Sequence, residues 1–175
     1  YQPAPAYGQP SAYQPAPADS QRGLRAATKL ALSADRLQGG AILWVDDDHE
    51  WNEPLIRLFR TAGIIVDPVA STDEAMRAFK NRSYDLVITD MRREHEPDGG
   101  TAGIQFLDRM IAAGIPTPAV FFSDHSNAHT VGHPRAVIAT NSPEKLVDTV
   151  VDIVSARHAE RTRSGGPSWL ERLRG

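Results

Sequence analysis

The chain contains no cysteine. Disulfides, zinc–thiolate centres and thiol nucleophiles are therefore excluded, and the absence fits a cytoplasmic protein. Charge of one sign is scarce as well. A formal net charge of −3 over 175 residues, with no basic cluster, argues against nucleic acid as a partner. No apolar run is long enough to span a bilayer and no signal peptide is visible, so no membrane association is expected. The chain opens on Tyr1 rather than Met and reads as part of a longer protein. Its length suits one domain with additional segments.

What is present is distributed unevenly. Residues 1–20 repeat "YQPAPA" at 1–6 and 13–18. Such a Pro/Ala/Gln-rich stretch buries no core and favours extended, solvated backbone, so it reads as disordered. Residues 21–40 read as a linker with helical character: Leu24, Ala27, Leu30, Ala31, Ala34 and Leu37 share a face, and Gly39-Gly40 ends it. Residues 41–157 form the expected domain, and 158–175 a tail in which Trp169, Leu170 and Leu173 cluster.

Within 41–157, short apolar runs alternate with amphipathic ones. "AILWV" is apolar throughout, as in a strand covered on both faces, and places Trp44 in the core. A helix is expected to begin near Pro54, with Leu55, Leu58, Phe59 and Ala62 on one face and Gly63 as its stop. "IIVDPVA" is a second strand, placed at an edge by Pro68. Ser71 and Glu74 open a helix with a capping box that buries Ala75 and Phe79. "YDLVITD" is the third strand, followed by a polar loop and a helix carrying Ile104, Leu107, Met110 and Ile111. "PAVFFSD" and "RAVIAT" are the fourth and fifth strands. Ser142 and Pro143 then start a last helix with Leu146, Val147, Val150, Ile153 and Val154 as its stripe. Five strands alternating with helices indicate a doubly wound α/β fold, a parallel sheet with helices on both faces. Chemistry in such sheets gathers outside the carboxyl ends of the strands.

The first strand stops on Asp46, Asp47 and Asp48, and the third on Asp90. If those strands are neighbours, Asp46, Asp47 and Asp90 meet at one edge. Two such charges about 5 Å apart repel by roughly 3 kcal/mol at an effective dielectric of 20. A hard divalent cation offsets that repulsion, and Mg²⁺, which takes one or two carboxylates and keeps waters and phosphate oxygens, suits the set. Phosphoryl transfer to a carboxylate is the chemistry this permits. Asp48 reads as a cap at the entry to the first helix of the domain.

"ILWVDDD", "YDLVITDM" and the strand-ending Ser123 of "AVFFSD" together resemble the receiver domain of bacterial response regulators, over residues 41–157. That resemblance implies a strand order of 2-1-3-4-5. It implies Mg²⁺ held by Asp46, Asp47, Asp90 and the backbone carbonyl of Arg92. Asp90 would accept a phosphoryl group from a sensor histidine kinase or phosphotransfer protein. Ser123 would act as the switch hydroxyl, and an output protein or upstream domain would read the result by protein–protein contact.

The sequence departs from that family in three ways. Receivers usually end the fifth strand on a lysine; here Ala139 and Thr140 stand there, and no lysine lies between Lys80 and Lys145. The segment from Asp90 to Gly103 is longer than usual, and its Arg92 or Arg93 is placed to supply the missing positive charge. The segment from Ser123 to Ala139 is shorter, with Gly132 and Pro134 inside it, so the fourth helix of the receiver pattern is expected to be short or absent. A divergent receiver that serves as a non-phosphorylated interaction module is the alternative. A Mg²⁺-dependent phosphatase using Asp46 and Asp48 is a third reading. His125, His129 and His133, spaced four apart beside Asp124, would line one face of an unbroken helix as a metal site requires, but Gly132 and Pro134 favour a polar surface loop. Trp51 is expected on the rim of the acidic site.

Overall fold

The computed structural model describes residues 17–93, 96, 99–123 and 132–164. Five parallel strands, β1 (Ala41–Val45), β2 (Ile65–Val69), β3 (Leu86–Thr89), β4 (Ala119–Phe122) and β5 (Ala136–Thr140), form one sheet in the order β2-β1-β3-β4-β5. This is the expected doubly wound arrangement, with Pro68 on an edge strand, where its missing N–H costs no ladder bond. Five helices accompany the strands: α1 (Pro17–Leu37), α2 (His49–Thr61), α3 (Thr72–Asn81), α4 (Ala102–Ala112) and α5 (Pro143–Arg163). Between β4 and β5 the described residues form no helix; Asp124, His125 and His129 lie outside them. Residues 1–16 and the Trp169, Leu170 and Leu173 cluster lie outside them too. No helix among the described residues is long and apolar enough to cross a membrane.

Alternation along the strands divides the core in two. Ile42, Trp44, Leu86, Ile88, Val120 and Phe122 face α1, α2 and α5. Leu43, Val45, Val87, Ala119 and Phe121 face α3 and α4, against Ala75, Phe106, Leu107 and Met110. Trp44 is fully buried, 6.0 Å from Phe122 in an edge-on arrangement and 6.2 Å from Phe59.

Several boundaries and faces differ from the sequence reading. The helix within 21–40 begins at Pro17, and Ala26, Leu30, Ser33 and Leu37 are its buried face, while Leu24 and Leu32 stay exposed. That face belongs to the same apolar cluster as Val147, Val150 and Val154 of α5. Helix α2 starts at His49, not near Pro54. Asp48 provides the cap by accepting the Trp51 N–H at 3.3 Å, and Pro54 forfeits one bond inside the helix. Ile56 is buried with Phe59, whereas Leu55 and Leu58 are partly exposed. Gly63, at φ 85°, closes α2 as expected: its N–H reaches the Arg60 carbonyl and the Ile64 N–H the Phe59 carbonyl. In α4 the buried positions include Phe106 with Leu107 and Met110, and Ile111 is 44% exposed. Helix α5 continues past residue 157 because Arg161 donates to the buried Asp85 at 2.8 Å, and the same carboxylate oxygen accepts the Ala41 N–H at 2.9 Å. His133 contacts Asp108 at 2.9 Å and accepts the Arg135 N–H through Nδ1.

Candidate functional site

Parallel pairing brings the ends of β1 and β3 together. Val45 lies opposite Thr89, and the Asp90 N–H donates to the Val45 carbonyl at 3.1 Å. The chain therefore leaves both strands at the same height, and Asp46, Asp47 and Asp90 each offer an oxygen within 4.8 Å of the others. Asp46 and Asp90 are buried; Asp47 is exposed.

Asp46 is fixed from both sides. Its Oδ1 accepts the Asp48 N–H at 2.8 Å, and its Oδ2 accepts from Asn52 Nδ2 at 2.8 Å. Asn52 is fully buried, and its own Oδ1 has no hydrogen-bond partner among the described residues. Burial nevertheless raises the Asp46 pKa, with Asp47 and Asp48 adding to the effect and the two hydrogen bonds opposing it. For Asp90 the same forces are stronger. Burial first and the Asp46 charge second push its carboxyl up to about 8, against the pull of Arg93.

Arg93 is the cation of this site. Its side chain is 1% exposed, and Nη1 donates to Asp90 Oδ1 at 2.7 Å. Of the two arginines after Asp90, the sequence left the choice open; Arg92 is exposed and Arg93 is the one turned inward. The guanidinium is gripped by Thr89, Thr72, Ala102 and Glu96 besides Asp90. The close approach of α4 to the end of β3 depends on Gly103, where a Cβ would meet the Asp90 carbonyl oxygen at 2.2 Å and the Phe121 ring at 3.0 Å. The Gly103 N–H donates to the Met91 carbonyl at 3.0 Å, drawing the start of α4 against the acidic edge.

Ser123 follows β4 at the same edge of the sheet, its N–H donating to the Thr140 carbonyl at 3.3 Å. Thr140 ends β5, buried, its hydroxyl accepting the Ser142 N–H at 3.0 Å. Ala139 beside it is partly buried against the α3–α4 side of the core. Trp51 is 60% exposed on the first turn of α2. Asp48 is engaged in capping that helix and is not part of the three-carboxylate group.

The donor set fits a hard cation: three carboxylates within reach of one another, two of them taken out of water, with Arg93 paired to one. Asn52, Thr72, Thr89 and Glu96 were not singled out from sequence. Thr72 carries no local sign of its role, since "STDE" announces only a helix start; Glu96 stood in a segment read only as a polar loop.

A five-stranded parallel sheet with an acidic triad at its carboxyl edge defines a receiver-like α/β domain. Residues 42–141 match the family described as the response regulator receiver domain, and the chain belongs to that family. It is thus a receiver domain of the kind used in two-component signalling. Solved structures share the fold. The response regulator TrrA of Thermotoga maritima, in complex with Mg²⁺ and BeF, is 21% identical, with 65% of this chain and 98% of that one covered and a TM-score of 0.52. The chemotaxis response regulator CheY4 of Vibrio cholerae is 19% identical, with the same coverage and a TM-score of 0.51. The response regulator PhyR of Brucella abortus is 14% identical at a TM-score of 0.56, over 85% of this chain and 60% of that one. No curated protein is matched.

Proposed function

We propose that this receiver domain accepts a phosphoryl group on Asp90 from a sensor histidine kinase or a phosphotransfer protein and passes the signal on by protein–protein contact. The observation that carries this reading is the convergence of Asp46, Asp47 and Asp90 within 4.8 Å. Asp46, Asp47, Asp90 and the backbone carbonyl of Arg92 are the groups assigned to Mg²⁺, which when bound neutralises phosphoryl oxygens. An oxygen of Asp90 forms the new P–O bond as the P–N bond to the donor histidine breaks, the electron pair leaving with the imidazole. Asn52 and the Asp48 N–H hold Asp46 in place for this. Ser123 is assigned the hydroxyl that meets the phosphoryl group from β4. Hydrolysis of the acyl phosphate is the only turnover assigned, and the reading places the domain in the cytoplasm.

A second reading has an observation of its own. With Arg93 at 2.7 Å from Asp90, the acceptor already has a counter-ion, as an unphosphorylated interaction module would need. Intact-mass measurement after acetyl phosphate and Mg²⁺ separates the two. Wild type should gain one phosphate that Asp90→Asn does not. Label on Asp46 would support the phosphatase alternative, and no label with any donor the interaction module.

A further inference from the structure

The contacts of Arg93 extend beyond the acceptor. Nη1 donates to Asp90 Oδ1 at 2.7 Å and Thr89 Oγ1 at 3.1 Å; Nη2 donates to Thr72 Oγ1 at 2.6 Å and the Ala102 carbonyl at 3.1 Å; Nε donates to Glu96 Oε1 at 3.0 Å. Glu96 closes the ring, accepting the Thr72 N–H at 2.6 Å and its hydroxyl at 2.8 Å. Thr72 is the first residue of α3. One permanently charged, planar group therefore joins the acceptor carboxylate to the N-terminus of a helix and to the start of α4.

A guanidinium fork that matches a carboxylate also matches phosphoryl oxygens, and a phosphoryl group brings nearly two negative charges to it. Ala139 and Thr140, at the end of β5, have no charge to offer. We propose that Arg93 is the residue that binds the phosphoryl group on Asp90, and that it reports loading to the N-terminus of α3 through Thr72 and Glu96. This rests on the reading of Asp90 as acceptor. As the phosphoryl group arrives, Arg93 exchanges its bond to Asp90 Oδ1 for bonds to phosphoryl oxygens. Its five donors are fixed in one plane, so that exchange moves the others. The response falls on residues 70–76 and 91–103, and not on β5 and α5.

The test uses the full chain with Mg²⁺ and beryllofluoride, a phosphoryl mimic, in wild type, Arg93→Ala, Arg93→Gln and Thr72→Val, each checked for fold by circular dichroism. Loss of charge-assisted bonds should raise the apparent Kd for beryllofluoride about 10- to 100-fold in Arg93→Ala. Thr72→Val should bind within a few-fold of wild type, yet lose the change in amide exchange at 72–76 that the mimic produces in wild type. Arg93→Gln, which keeps donors without charge, replaces Arg93→Ala if the latter does not fold, and the wild-type exchange map needs no variant. Wild-type affinity in the neutralised variant overturns the proposal. So does a wild-type response across 136–155 with none at 72–76. A wild type that neither binds the mimic nor gains phosphate from acetyl phosphate overturns the acceptor reading itself, and the role of Arg93 with it.

Discussion

Around β1 and β3 the carboxyl edge of the sheet gathers Asp46, Asp90 and Arg93, each less than a tenth exposed, with Thr72 and Glu96 accepting further hydrogen bonds from Arg93. At the end of β5, the same edge carries Ala139 and Thr140; the Thr140 hydroxyl caps the turn into α5 and its carbonyl accepts the Ser123 N–H. The usual receiver divides charge across these two places, acid on one and lysine on the other. Here both signs lie on one side, and the cation comes from three residues along the chain rather than from across the sheet. A local pair costs little chain entropy to bring together, but its energy depends on being sealed from water. The cation of this half is thus part of its buried core.

The widest gap between the halves should appear in stability. Arg93→Ala leaves Glu96 without its cation and withdraws the buried donors of Asp90, Thr89, Thr72 and the Ala102 carbonyl, so a loss of about 3–5 kcal/mol is expected. Thr140→Val removes one cap and should cost about 0.5–1.5 kcal/mol. Urea denaturation at neutral pH compares them directly; equal costs would erase the distinction drawn above.

A pH dependence follows from the Asp90 carboxyl at about 8. A carboxyl whose folded pKa lies above its unfolded value of ~3.9 contributes stability below that value and loses it as pH rises through the folded pKa. In EDTA, the urea midpoint of wild type should therefore fall between about pH 5 and 8.5, and Asp90→Asn should flatten the decline. Mg²⁺ should raise the wild-type midpoint more at the alkaline end. Parallel curves for the two proteins would mean that Asp90 is not the group under strain.

The weakest signal is optical. Trp51, exposed on the turn that Asp48 caps, should change fluorescence modestly when Mg²⁺ binds, and Asp47→Ala should abolish the response. A response that persists in that variant places the cation away from the acidic edge.

The five strands and the acidic triad were legible because both rest on local pattern, apolar runs ending on aspartates and separated by helix-length segments; the strand order came only with the family resemblance. Pro54 misled the start of α2, since a proline inside a helix and one at its first position look alike in sequence, although Asp48 was read correctly as the cap. Ile111 was named for the helix face and Phe106 was not, yet Phe106 is the buried one, because α4 presents more apolar residues than its buried stripe can hold. Asn52, Thr72 and Glu96 were hidden for a different reason. Each is an ordinary polar residue in sequence, and its meaning comes only from a partner brought near by folding. Between Arg92 and Arg93 the sequence had no way to choose, as one step along a loop reverses the direction a side chain takes.

Helix α1 sets a problem of timing. Its Leu30 and Leu37 share a cluster with Val147, Val150 and Val154, so among the described helices the one made earliest is completed by the one made latest. At ~5–20 residues per second, α1 waits on the order of ten seconds after leaving the ribosome before α5 emerges to cover it. Throughout that interval its apolar stripe is available to any other surface, the chain's own included. The sheet can assemble in the meantime, strand by strand, but the layer that closes over β1 and β3 comes last. Ribosome-bound chains stalled short of α5 should accordingly show α1 open to protease when the central strands are already protected.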